Sequence, residues 1–196
     1  MSRLTVAMQI SIDGYVDSRL PDADWQVWNW GPDWPWSADL RAAFNGLLAG
    51  ASGLLLSRPM ADEGYLGHWG RMAEQHPGDP DWEFSRAIGA LPKFVPSRSG
   101  RPELDWPRTT VLNGELTGAV EQAKKLADGD LVCFGGAGLA SSLLREDLAD
   151  ELRLFTNPGF AGEGNSVFGP WLATRNYRAA HSTAHTCGIV ETRWVR

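Results

Sequence analysis

Three short stretches of this sequence combine groups that hold anions: Ser57 and Arg58 after the apolar run GLLL, Ser97 and Arg98 after KFV, and Gly135, Gly136, Ala137, Gly138 and Leu139 after LVCF. Glycines let backbone N–H groups come close to a phosphate, the N-terminus of a following helix adds its positive dipole end, and Arg offers a planar fork that matches phosphate oxygens. In an open parallel sheet the C-terminal ends of the strands share one rim, and ligands bind in the crevice there. Three such stretches at the ends of neighbouring strands would form one site. Ser with Arg at a strand end suits an additional phosphate, such as the 2'-phosphate that separates NADP from NAD. Each stretch also has a plainer use: glycines between strand and helix serve close packing, and single Arg residues serve as surface charges. The glycine cluster departs from the dinucleotide fingerprint, because Ser141 breaks G-x-G-x-x-G/A and no acidic residue stands about 20 positions later. A Rossmann dehydrogenase is therefore disfavoured.

Proton transfer needs a titratable group near the reacting atom. Asp13, just past the first apolar run, is the first candidate for substrate contact or proton supply, on the condition that burial raises its pKa. Asp before Gly is also an ordinary turn pair. Gln9 suits hydrogen bonding to a heterocycle, or serves as a satisfied core amide. Glu163, between Gly162 and Gly164, is a second acid, unless it is simply solvated. Trp25, Trp28 and Trp30 crowd a Pro- and Gly-rich stretch and are expected to wall a planar ligand; the alternatives are a satellite apolar cluster or a dimer contact. The four His residues show no H-E-x-x-H or close Cys/His spacing, so no metal site is expected. His181 and His185 fall four apart in a predicted strand, where edge solvation is expected.

The elements that must position these groups follow from periodicity. LTVAMQIS (4–11) reads as a strand closed by the Asp13-Gly14 turn. Ser37 is placed to cap a helix whose Leu40, Phe44, Leu47 and Leu48 share one face, with Gly50 as its stop. Residues 62–81 read as a surface excursion before a helix at about 82–90. KFVPSRS, TTVLNG and LVCF read as strands, with a helix over LTGAVEQAKKLADG and another after the glycine cluster. ELRLF, RNYRAAHSTAHT and CGIVETRWV then read as strands without helices between them. This order predicts an α/β fold of three layers: a mixed, mostly parallel central sheet with antiparallel C-terminal strands and helices on both faces.

The chain of 196 residues, 43% hydrophobic and 21% charged, fits one domain over 1–196. A net charge of −6 argues against nucleic acid or anionic lipid as partners. With two cysteines, no secretory cleavage pattern and no run of membrane-spanning length, a cytoplasmic protein off the membrane is expected.

MQISIDGYV, LPKFVPSRS (K-aromatic-V-x-S-R) and VCFGGAGLASSLLREDLADELRLFTNPGFAGEGNSVF, with its glycine turn, L-x-D-E-L and P-x-x-x-G-x-G, occur in that order. In this the sequence resembles the dihydrofolate reductase-like superfamily, in the branch of the riboflavin-biosynthesis reductase domain, over nearly its whole length. The resemblance implies a dihydrofolate reductase-like fold, NADPH as cofactor, its pyrophosphate on the Gly135–Leu139 turn, and Ser97 and Arg98 near the adenosine phosphate. It implies a reductase of a small heterocyclic, carbonyl or imine substrate, and a homodimer. Arg58 matches the Arg of the family's G-R-x-T turn, but SRPM places Ser57 for Gly and Met60 for Thr, and Pro59 removes a backbone donor. This departure keeps open a non-redox binding protein or non-redox enzyme on the same scaffold. The acid that folate reductases carry on their first long helix has only Asp39 as a counterpart, which disfavours dihydrofolate.

Overall fold

The computed structural model describes residues 2–26, 35–98, 100 and 104–196, without the side chains of 61, 62 and 174. Its strands are β1 (Leu4–Ile10), β2 (Gly53–Leu55), β3 (Lys93–Ser97), β4 (Thr109–Asn113), β5 (Leu131–Cys133), β6 (Glu151–Thr156), β7 (Arg178–Ala184) and β8 (Val190–Val195). They form one sheet in the order β4-β3-β2-β5-β1-β6-β8-β7. The six strands from β4 to β6 are parallel, and β8 then pairs antiparallel with both β6 and β7. The mixed, mostly parallel sheet with an antiparallel C-terminal edge is as expected.

Period-2 alternation sorts side chains to two faces. Leu4, Val6, Met8 and Ile10 of β1, with Leu55, Leu131 and Cys133, face helices α5 (Leu116–Ala127) and α6 (Ala137–Arg145). Ala7, Leu54, Leu56, Val132 and Phe155 face α1 (Ala38–Ala49), α3 (Tyr65–Gln75) and α4 (Glu83–Ala90). A short α2 (Pro59–Asp62) follows β2. Helix α1 buries Leu40, Phe44, Leu47 and Leu48, the face expected. Ser37 stands at its N-cap position, but the hydroxyl accepts from the Cys187 N–H at 3.2 Å instead of capping the helix.

Two expectations are corrected here. Residues 62–81 are no mere surface excursion, since α3 lies within them. Its glycines, Gly67 and Gly70, dilute the helical signal, while Tyr65, Trp69 and Met72, spaced 4 and 3 apart, bury one face against α4 and the sheet. His185 is not solvated at an edge. It is buried between Glu191, with Nε2 to Oε2 at 3.1 Å, and Asp39, with Nδ1 to Oδ2 at 3.4 Å. Asp39 also accepts from Thr186 N and Oγ1, which ties the β7–β8 turn to the start of α1.

Lys93 opens β3 and is only 1% exposed. Its Nζ donates to the carbonyls of Gly89 and Leu91 at 2.8 Å each, filling acceptors left open where α4 ends. Burial, aided by the Arg108 charge, pushes its pKa down to about 8. From there to the ordinary lysine value the unfolded chain keeps a proton that the folded chain has lost, so stability rises with pH by about 1.4 kcal/mol per unit. Burial of Cys133, pushed up to about 12, and of Tyr65, also pushed up, acts in the opposite sense above the ordinary thiol and phenol values. Urea unfolding is thus expected to show stability rising between about pH 8 and 9, levelling off to about pH 10 as the lysine and thiol slopes cancel, and falling at higher pH. Lys93→Met should remove the rise; an unchanged slope would contradict the assignment.

Candidate functional site

Strands β3, β2 and β5 are neighbours, so the turns carrying Ser97-Arg98, Ser57-Arg58 and Gly135–Leu139 lie side by side on the C-terminal rim. The glycine turn is tied to the β2 end. Ser57 Oγ accepts from Gly136 N at 2.8 Å, and Ser57 N donates to Gly135 O at 3.2 Å. Gly135 has φ +115°, and a Cβ there would lie 3.4 Å from Met8 Cε, so only glycine fits without strain. Helix α6 begins directly after, and its first-turn N–H groups have no intrahelical acceptor.

A cleft of about 700 Å³ runs over this rim. One wall is the α6 start, Gly136 to Leu139. The rest of the lining is largely aromatic: Trp36, Phe44 of α1, Tyr65 and Trp69 of α3, Phe84 of α4, Phe134 after β5, and Phe155 of β6. Phe44 is the hub, with ring centroids of Trp36, Phe84, Phe134 and Phe155 at 5.1, 4.5, 5.2 and 5.4 Å. Polar groups are few: Gln9, Asp17, Ser57, Glu63 and Asn165, with the Tyr65 phenol. A smaller pocket of about 160 Å³, lined by Ser97, Arg98, Gly114 and Ser142, shares Gly138 and Leu139 with the cleft. The first turn of α6 therefore separates two contiguous cavities.

The loops after β1 and β6 close the far end. Asp17 accepts from Asn165 N and Nδ2 at 2.6 Å each, Val16 N donates to Asn165 O, and Ser166 Oγ donates to Gly14 O. The approach is close enough that a Cβ on Gly164 would lie 2.1 Å from Asp17 O, so glycine is required there.

The residues singled out in the sequence fall as follows. Ser57 and Gly136 to Leu139 line the large cleft, and Ser97 and Arg98 line the small pocket. Ser57 spends its hydroxyl on the turn. Arg58 follows it but lines neither cavity. Gln9 lines the cleft, and its Oε1 accepts from Asn157 Nδ2 at 3.3 Å, which orients the amide with its amino group as the remaining donor.

Asp13 does not line the cleft. Ser11 Oγ donates to it at 2.6 Å, and Ala161 N and Gly162 N donate at 3.0 and 2.8 Å. The Ser11 hydroxyl, with these amides, holds its pKa below the ordinary value, so the condition set for a proton-holding Asp13 is not met. Glu163 is exposed beside Arg19 at 3.4 Å, outside the cleft. Trp25 is buried against Gly159 and lines neither cavity, while Trp28 and Trp30 lie outside the described residues. The aromatic wall comes instead from residues read as core or not singled out at all. Asp17, Glu63 and Asn165 carried no sequence signal beyond their polarity.

Among the described residues no group of His, Cys, Asp and Glu could hold a metal, and no helix is long and apolar enough to cross a membrane. The family model described as the RibD C-terminal domain matches residues 2–190. An uncharacterized Bacillus subtilis protein, YyaP, is 24% identical over 191 residues, covering 96% of this chain and 92% of its own. A solved structure from Shewanella sp. PV-4, provisionally assigned to riboflavin biosynthesis, superposes with a TM-score of 0.69 at 20% identity, over 99% of this chain and 98% of that one. The chain matches Acinetobacter baumannii RibD at 13% identity and a TM-score of 0.62, spanning 58% of that protein's length. Rib7, the riboflavin biosynthesis reductase of Saccharomyces cerevisiae, gives 12% identity and a TM-score of 0.57, with 99% and 89% of the two chains covered. With the dihydrofolate reductase-like architecture of these neighbours and the family match over nearly its whole length, the chain belongs to the RibD C-terminal domain family.

Proposed function

We propose that residues 1–196 form one domain and that the protein is a cytoplasmic NADPH-dependent reductase of a small conjugated C=N, C=O or C=C compound. The observation that carries the reading is that the aromatic cleft and the Ser97-Arg98 pocket meet at Gly138 and Leu139, on the first turn of α6. A dinucleotide needs such a pair of cavities joined by a phosphate cradle. The residues fit the cofactor. Amides at Ala137, Gly138 and Leu139 would hold the pyrophosphate, and Arg98 with Ser97 the 2'-phosphate. When bound, the nicotinamide supplies hydride.

The chain's own residues do the rest. Ser57 pins the glycine turn to β2, Gln9 presents its amino group to a substrate acceptor atom, and the aromatic wall excludes water and keeps a planar substrate flat. A second reading, a non-redox binding protein, is favoured by one feature: Ser57 occupies the Gly136 N–H and Pro59 lacks one, so the β2 side of the site has fewer free donors.

Titration with NADPH while following tryptophan fluorescence separates the two, because Trp36 and Trp69 line the cleft. The reductase reading expects saturable binding. Arg98→Ala should then weaken NADPH about tenfold, the scale of one exposed charge-assisted phosphate contact, and leave NADH nearly unchanged. Equal losses for both cofactors would contradict the 2'-phosphate role.

A further inference from the structure

We propose that the cleft takes a planar cation with a conjugated C=N⁺ bond, an iminium or an N-alkylated heteroaromatic ring, as its hydride acceptor. This deepens the reductase reading and, for turnover, rests on it.

Three independent observations converge. The cleft presents seven aromatic rings, and aromatic faces attract desolvated cations as well as flat apolar bodies. Its charged lining is wholly acidic: Asp17 and Glu63 line it, and no Lys, Arg or His does among the described lining residues. Asn165 fixes the Asp17 carboxylate in place through two 2.6 Å hydrogen bonds, so its charge stays at the cleft. An anionic substrate would meet these carboxylates without a cationic partner, at a cost in affinity.

The third observation concerns protons. Reduction of a neutral C=O or C=N bond requires a proton for the heteroatom, and the phenol that lines the cleft is a poor source. Burial makes the Tyr65 phenol hold its proton more tightly than in water. A C=N⁺ acceptor has no such need. Its carbon gains the hydride, the C=N π pair moves to nitrogen and cancels the charge, and the dihydronicotinamide is oxidised to the pyridinium. The product forms neutral, and the dihydro product of a heteroaromatic ring is too weakly basic to regain a charge near neutral pH, so it leaves an acidic, cation-selective cleft more readily than the cation would.

The test uses three probes of one shape on the protein without cofactor: N-methylquinolinium, quinoline at a pH where it is neutral, and quinoline-4-carboxylate. Calorimetry should rank the cation about tenfold tighter than quinoline, with the carboxylate weakest. Glu63 is exposed, so Glu63→Gln should fold normally, lower the cation's affinity severalfold and leave quinoline unchanged. Binding of the carboxylate as tightly as the cation, an equal loss of cation and quinoline in Glu63→Gln, or no binding of any probe would overturn the proposal. With NADPH present, N-methylquinolinium should be reduced faster than quinoline; bound NADPH that reduces neither probe, or quinoline faster, overturns the hydride-acceptor role. Absence of NADPH binding would instead sink the reductase reading, while the charge ranking would still report on the cleft.

Discussion

Gly138→Asp should lower NADPH affinity by about a hundredfold or more, with a melting temperature close to that of the wild type. Gly138 belongs to both cavities, and a Cβ placed on it meets nothing within 4 Å, so the new side chain has room. Asp in the first turn of a helix is stabilising by a few tenths of a kcal/mol, because it complements the dipole. The same carboxylate would stand where the pyrophosphate binds, and like charges brought together at a desolvated site cost several kcal/mol. Gly138→Asn supplies the same bulk without the charge and separates sterics from electrostatics. Calorimetric titration of the three proteins with NADPH decides. If Asp and Asn bind alike and near the wild-type level, the α6 turn is not the phosphate cradle, and the reductase reading falls with it.

Phe44→Ala should cost about 3–5 kcal/mol in urea unfolding, the range for removing a large core aromatic. Phe44 is 6% exposed and touches four other rings, three of them at edge-on angles of 74°, 69° and 64°. Its loss removes their shared partner and opens the cleft into the space beneath α1. Phe44→Leu, which keeps most of the volume, should recover more than half of the loss. NADPH affinity of the folded fraction should change little in either variant, because Phe44 supplies neither a charge nor a hydrogen-bond donor to the phosphate cradle at the α6 turn. A large loss of NADPH binding in Phe44→Leu would mean that the aromatic wall, and not α6, dominates cofactor recognition.

The parallel strands and most helices were legible because their signals are local. β1 alternates Leu4, Val6, Met8 and Ile10 toward one face, α1 repeats Leu40, Phe44, Leu47 and Leu48 along another, and both patterns survive unchanged in the structure. α3 was not legible, because Gly67 and Gly70 lower its intrinsic helicity and only burial of Tyr65, Trp69 and Met72 secures it. His185 was misread for a related reason. A histidine four residues from another in an alternating strand looks solvated until Asp39, 146 positions earlier, folds back beside it.

The candidate site divides along the same line. The sequence by itself determined which segments end in anion-binding groups, since a strand followed by glycines or by Ser-Arg is a pattern of adjacent residues, and it pointed to the family through the same motifs. Only the tertiary structure decided that the β3, β2 and β5 ends sit side by side, that Ser57 closes on Gly136, and that the aromatic wall is drawn from Trp36, Phe44, Phe84, Phe134 and Phe155 and not from Trp25. The physical reason is that hydrogen-bonding and turn preferences act over a few residues, whereas the order of strands and the lining of a cleft are set by how whole hydrophobic faces cover the sheet, a balance to which residues more than a hundred positions apart contribute together.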